Sequence, residues 1–316
     1  MAIALLGAGF SRSWGGWLAQ EVVGELLGRI IDHHDLYWRL RKTSDFELVL
    51  GEVRERAHVA QSAEAKRPYQ ALEEAIVEVF AEMNRAFCVR ARFDFIDDPA
   101  FSVTALLGML EEIYTLNQDL LLETHYVPTT GRQGTWLGPQ FPGVRCPDGW
   151  AERDRWERTL EAWVPENDFR LDPARQSIFK LHGSVNWRES SGERLLVLGA
   201  GKEQRIGESS LLKRYFDRFV GSLMRGDQRL LVIGYSFRDA HVNEAIVRAS
   251  REARLQAYIV DPRGLEVLER NRGAQIRGPN ELDDLRIAGV SLRTMDAIFR
   301  GGDSLQLESL MRFMQA

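Results

Sequence analysis

Five short stretches of this chain place small or polar residues where an apolar run would otherwise continue. They are Gly7-Ala8-Gly9-Phe10-Ser11, Asn117 with Asp119, His182-Gly183, Gly234-Tyr235-Ser236, and Asp261. Each follows a run that reads as a core strand, and in an open α/β sheet ligands sit beyond the carboxyl ends of the strands. The first stretch has a strand, a tight turn and then a helical pattern, which aims backbone N–H groups and a helix dipole at a phosphate. Taken alone, this glycine pair fits an ordinary β–α turn as well as a dinucleotide site. Its meaning depends on the partners that the rest of the chain supplies.

The elements that must position these residues can be read from periodicity. Leu18, Val22, Val23, Leu26, Leu27, Ile30 and Ile31 recur at helical spacing. Ser44-Asp45-Phe46-Glu47 fits a capping box ahead of Val49, Leu50 and Val53. Leu72, Ile76, Phe80, Met83 and Phe87 stripe a long helix over residues 67–90, and residues 101–113 make another helix. So much helix after one strand predicts a helical insertion. A strand is expected over residues 112–116. Between Tyr126 and Pro173 six prolines and four tryptophans (Trp136, Trp150, Trp156, Trp163) mark an irregular module whose tryptophans are expected to form local core. Strands are then expected over residues 177–183, 194–198, 230–234, 257–261 and 290–294. Between them lies a helix over residues 210–223, with Leu212, Tyr215, Phe216, Phe219 and Leu223 inward. Two more helices begin near Asp239 and Asp303. The fold class is therefore α/β: a Rossmann-like, doubly wound, mostly parallel sheet with a helical insertion subdomain. The core takes residues 1–31, 112–126 and 177–316, the helical insert 32–111, and the Trp/Pro-rich insert 127–176.

Composition narrows the function classes. At 316 residues, 44% hydrophobic and 28% charged, the chain reads as globular, with material for a large core. A net charge of −5 gives no basic field for nucleic acid, so no direct nucleic-acid binding is expected. No apolar run reaches the roughly 18–20 residues of a membrane span. Met1 leads straight into a predicted core strand, so a cytoplasmic protein is expected. Two cysteines, Cys88 and Cys146, cannot build a four-thiolate zinc site or a disulfide framework.

In order, GAGFS, TLNQD, LHG, GYS and VDP resemble the motif set of the sirtuin family of NAD-consuming enzymes. More narrowly, GAGFSRSWGG, DFELVL, FKLHGSVNW and LLVIGYSFRDAHVNEAI are similar to the bacterial sirtuin-like NAD hydrolases of antiphage defence. The resemblance covers the Rossmann portion, about half of the chain. It implies that Gly7, Ala8, Gly9, Phe10 and Ser11 bind the pyrophosphate side of NAD, and that Gly234, Tyr235 and Ser236 line the opposite side. Asp261 would accept from the adenosine ribose hydroxyls. Asn117 would bind the nicotinamide ribose and hold the attacking water, Asp119 would hydrogen-bond the carboxamide, and His182 would be the general base. That assignment suits N-glycosidic cleavage: the leaving group is neutral nicotinamide and the ribose becomes oxocarbenium-like, so fixed dipoles and a placed water suffice.

Two departures point toward hydrolysis. Protein-deacylating sirtuins carry a four-cysteine zinc ribbon after the HG motif, whereas residues 184–209 here contain no cysteine, so no zinc is expected. They also carry Pro-Asp-Phe-Arg where this chain has Ser13-Trp14-Gly15-Gly16-Trp17. The resemblance implies an NAD+ glycohydrolase that depletes NAD. Its activity would be gated by homo-oligomer assembly or by a partner such as a HerA-type hexameric ATPase. The alternatives are a non-catalytic NAD or ADP-ribose sensor module, and a zinc-independent deacylase or ADP-ribosyltransferase. Plainer roles stand beside the sharp ones. Ser11 fits a helix N-cap, Asp45 and Glu47 fit caps, His125 and His241 fit structural histidines, and Trp14 and Trp17 fit packing. Asp32-His33-His34-Asp35 fits a solvated helix end better than a metal site, because consecutive helical residues diverge.

Overall fold

The computed structural model describes residues 2–60, 62–89, 92–127, 136–199, 201–269 and 281–315. Arg90, the expected end of the long helix, and residues 128–135 of the Pro-rich module lie outside the described residues. Five apolar segments form strands buried on both faces: β1 (Ala2–Leu6), β2 (Glu112–Thr115), β6 (Gln176–Lys180), β9 (Arg229–Ile233) and β10 (Gln256–Val260). With the short edge strand β3 (Pro139–Gln140) and with β11 (Ile287–Ser291) they make a seven-stranded parallel sheet in the order β11-β10-β9-β1-β2-β6-β3. Proline is tolerated in β3 because that strand lies at the edge.

Register sets the site. Leu6 pairs with both Thr115 and Ile233, Thr115 with Lys180, and Ile233 with Val260. The strands therefore end level, and Gly7, Leu116, Leu181, Gly234 and Asp261 each follow the last paired residue along one edge of the sheet. The chain first winds from β1 to the β2 side and then returns to the β9 side. That puts the topological switch beside β1, where ligands of such sheets bind.

Between β1 and β2 come α1 (Ala8–Arg12), α2 (Ala19–Arg29), α3 (His34–Thr43), α4 (Phe46–Ala60) and α5 (Ala63–Val89). α2 packs on α3, α4 and α5, and α5 buries the expected stripe of Leu72, Ile76, Phe80, Met83 and Phe87. Several local expectations fail for local reasons. Leu18 and Ile31 are exposed because α2 starts after the first and stops before the second. The stretch 101–113 is broken into a short helix, Val103–Gly108, followed by β2, since Glu112 pairs into the sheet. The strand expected over 194–198 is β8 (Arg194–Leu196), which leaves the main sheet to form an antiparallel ribbon with β7 (Gly183–Arg188). The capping box is not formed: Asp45 alone accepts the Leu48 N–H, while Glu47 turns away to Lys202. In the Trp-rich module β4 (Val144–Arg145) pairs antiparallel with β5 (Val164–Pro165), and Trp150 and Trp163 are buried with Phe141, but the Trp156 ring lies under the Arg85 guanidinium and the Trp136 indole N–H donates to Gly108 O. Within the helix Ser210–Leu223, Phe216 is half-buried, with its ring 5.3 Å from that of His241 and tilted by 52°.

The switch point is held by glycine. Gly234 has φ +63°, and a Cβ on it would lie 2.4 Å from the Gly9 backbone. Gly234→Ala should therefore destabilise the chain by at least about 2 kcal/mol. Gly24→Ala, in an open helical position of α2, should stabilise it by about 0.5–1 kcal/mol. Urea unfolding of the two variants checks the contrast.

Candidate functional site

The turn after β1 is built on β9. Gly7 N–H donates to Ile233 O and Gly9 N–H to Gly234 O, both at 2.9 Å, while Phe10 N–H closes the turn onto Gly7 O. The two glycine loops thus touch backbone to backbone instead of facing each other across a gap, because Gly7, Gly9 and Gly234 carry no Cβ. Ala8 is exposed and Gly9 half-exposed, so a ligand meets the rim of the paired loops. Gly7 is the N-cap of α1, and Ser11 lies inside the helix, which corrects its reading as an N-cap.

The Ser11 hydroxyl serves the site directly. Asn117 Nδ2 donates to Ser11 Oγ and to Gly7 O, both at 3.0 Å, and Asn117 N–H to Thr115 Oγ1 at 3.1 Å. The amide is fixed through its nitrogen, and Oδ1 has no hydrogen-bond partner among the described residues. Asp119 follows, buried, with Oδ1 accepting the Leu121 N–H at 3.0 Å. Burial raises its pKa, against the opposing pull of Lys180, the Leu121 N–H and the Ser11 hydroxyl.

Beneath Asp119 lies a buried ion pair that periodicity does not announce. Lys180, the last residue of β6, donates to Asp119 O at 2.5 Å and to Glu123 Oε1 at 2.7 Å. Both side chains of the pair are nearly inaccessible, at 2% and 3%. Glu123 sits on a π-helical turn, Leu122–Tyr126, a distortion that often accompanies function. Phe10, Ser11, Asn117, Asp119, Glu123 and Lys180 line a cavity of about 10 Å³, together with Thr115 and Leu122.

His182 belongs to a second cluster. Its Nε2 lies 3.4 Å from Nε2 of His241, so one ring donates to the other, and both rings are buried. Asp239 precedes His241 at the N-terminus of the helix Ala240–Glu252, but its carboxylate does not cap that helix. It accepts from Lys202 Nζ at 2.7 Å, and Lys202 also pairs with Glu47 of α4 at 2.8 Å. Burial works against the Lys202 ammonium, yet Asp239 and Glu47 raise its pKa. Desolvation pulls His182 down to about 3 in spite of Asp239. His182 is therefore a neutral imidazole at physiological pH. No hydrogen bond joins it to Asn117 or Asp119 among the described residues.

Tyr235 and Asp261 also have local partners. The Tyr235 hydroxyl donates to Asn243 Oδ1 at 2.9 Å and accepts from Asp239 N–H, so its buried ring props the 235–239 loop, while Ser236 stays half-exposed. Asp261 accepts from Arg263 N–H at 2.9 Å and Arg263 Nε at 3.2 Å. Trp14 is buried with its indole N–H on Phe93 O, and Trp17 is half-buried, which fits packing. The His34 ring accepts the Trp38 indole N–H at 3.0 Å, and no group of three or more His, Cys, Asp or Glu among the described residues is placed to hold a metal ion. No helix among the described residues is long and apolar enough to cross a membrane.

Sequence reading missed Glu123, Lys180, Lys202 and Asp239 as site residues. Lys180 stood inside the apolar run before His182, and a lysine at a strand end fully covered on both faces is the signal that could have exposed the pair.

The depressed His182 pKa fixes the sign of a pH effect. An unfolded histidine titrates near about 6.5, so the stability that His182 contributes is complete above that pH and falls away toward about 3. His182→Gln removes this dependence. The drop in urea midpoint between about pH 7.5 and about pH 5 should be smaller in the variant than in the wild type. An equal or larger drop would contradict the buried, neutral ring.

A family model described as a SIR2-like domain matches residues 111–282. The match takes in Asn117, Asp119, Glu123, Lys180, His182, Gly234 and Asp261 and begins after the glycine loop. No curated protein matches the chain. SIR2-like domains are typically NAD-dependent enzymes. The matched segment exceeds half of the chain and spans four of the five polar strand ends, so the chain belongs to the SIR2-like family.

Proposed function

We propose that the protein is an NAD+ hydrolase that releases nicotinamide and ADP-ribose. The observation that carries this reading is the Asn117 amide: both of its N–H groups are tied to the glycine turn, at Gly7 O and Ser11 Oγ, which leaves Oδ1 as a fixed acceptor beside buried Asp119. Such a dipole is suited to orient a water without adding charge that would have to be desolvated.

NAD is the substrate, and the residues fit it in parts. The exposed rim at Ala8 and Gly9 suits the pyrophosphate, and Asp261 at the end of β10 suits the adenosine ribose once Arg263 yields. The nicotinamide would occupy the cavity by Asn117 and Asp119, which at about 10 Å³ must widen before a pyridine ring enters. In the reaction the C1′–N bond breaks and its electron pair leaves with the pyridine nitrogen. Water oxygen bonds to C1′, and the water proton passes to solvent or to a neighbouring base. His182 is neutral and its Nδ1 makes no hydrogen bond among the described residues, so in the tautomer whose Nε2–H donates to His241 the Nδ1 can accept from a ribose hydroxyl or the attacking water. With so low a pKa it acts mainly by hydrogen bonding, not by holding the proton.

A closed nicotinamide end also fits an enzyme whose activity is gated. We place the gate in assembly, either of this chain with itself or with a partner such as a HerA-type hexameric ATPase, in the setting of antiphage defence by NAD depletion. Nicotinamide release from NAD, followed with the chain alone at high concentration and with the ATPase, tests the reading. Asn117→Ala and His182→Ala should each lower the rate by at least about a hundredfold. Full activity in both variants would refute the site, and tight NAD binding without turnover in any assembly would refute the hydrolase.

A further inference from the structure

Glu123 presents an anomaly. Its Oε1 accepts from Lys180, but Oε2 is fully buried and has no hydrogen-bond partner among the described residues. A buried carboxylate oxygen without a donor is costly, and such atoms in native structures call for a ligand, a water or a functional explanation. The side chain lines the cavity shared with Asn117 and Asp119, and it stands on the π-helical turn that follows β2. Lys180 lines the same cavity, with two of its ammonium N–H groups assigned to Asp119 O and Glu123 Oε1 and the third without a partner among the described residues. One acceptor and one donor without partners among the described residues therefore belong to side chains that line the same buried cavity.

We infer that Glu123 and Lys180 form a carboxamide-reading pair that selects the amide form of the pyridine dinucleotide over its acid form. The inference rests on the hydrolase reading above and adds a specificity element to the same site. A carboxamide carries both complements: an N–H for Glu123 Oε2 and a C=O for a Lys180 N–H. A nicotinic acid carboxylate offers no N–H at the pH of the cell and brings a negative charge against Glu123. A methyl ketone offers the C=O alone. A site built to receive an N–H discriminates strongly against an analogue that lacks it, because the buried acceptor is then left unpaired. Asp119 remains a neighbour of the amide, with Oδ1 already capping Leu121.

The test uses the full chain and three free pyridines, nicotinamide, nicotinic acid and 3-acetylpyridine, with binding read by ligand-observed NMR. In the wild type nicotinamide should bind at least about tenfold more tightly than either analogue. In Glu123→Gln the amide N–H groups can face the cavity, so the preference over nicotinic acid should collapse or reverse. Equal binding of nicotinamide and 3-acetylpyridine by the wild type overturns the proposal. So does a Glu123→Gln variant that keeps the wild-type order. If that variant does not fold because Lys180 loses its counter-charge, the double variant Glu123→Leu/Lys180→Met, which removes both charges together, takes its place, and a wild-type order kept there overturns the proposal. NAD cleavage without this selectivity overturns the carboxamide pair and leaves the hydrolase standing. Neither binding nor cleavage of NAD overturns both.

Discussion

The backbone contact between the Gly7–Gly9 turn and Gly234 is the constraint on which the rest of the site depends. β1 and β9 are parallel neighbours whose last residues pair, so their exit loops leave the sheet at the same level and must share one space. They can share it because a Cβ at Gly9 or Gly234 would fall well inside van der Waals distance of the other loop. The contact orients Gly7 O toward β2, where it receives the Asn117 amide, and it opens α1 at the position that brings Ser11 Oγ to the same amide. The side-chain dipole of Asn117 on one strand end is thus held by the backbone of another.

Around that anchor the charges separate into two groups with different jobs. Asp119, Glu123 and Lys180 are buried together beside Asn117, with a single cation offsetting two carboxylates that burial pushes toward neutrality. His182, His241, Asp239, Lys202 and Glu47 form the second group, which reaches from the core to α4 of the helical insert. Glu47 and Asp239 share Lys202 yet move in opposite directions. Burial dominates at Glu47, while at Asp239 burial is outweighed by His182, Lys202 and His241, which hold its pKa down. The helical insert is therefore tied electrostatically to the N-terminus of the helix that carries His241 and not merely stacked on the sheet.

Much of this was legible in the sequence, for physical reasons that also mark the limits. Strand ends were visible because a buried parallel strand is continuously apolar, so a glycine, amide or carboxylate that interrupts the run stands out, as Gly7, Asn117 and Asp261 do. The α5 stripe was visible because helical periodicity is local. What stayed hidden was long-range pairing. Glu47 resembled a cap and found Lys202, Asp239 resembled a cap and found the same lysine, and Glu123 and Lys180 meet across the sheet. No local pattern encodes a partner so far along the chain. The packed glycine loops were also beyond reach, since a Gly-x-Gly turn reads the same whether it faces a ligand or another loop.

The central claim is that the groups at the ends of β1, β2 and β6 deliver water, and not a protein nucleophile, to the nicotinamide ribose. Its most direct measurement is turnover of NAD in 18O-labelled water, with nicotinamide, free ADP-ribose and ribosylated protein quantified together. Hydrolysis at this site requires one free ADP-ribose per nicotinamide, with the label in the product. Nicotinamide released without matching free ADP-ribose, its ribose recovered instead on protein, would contradict it.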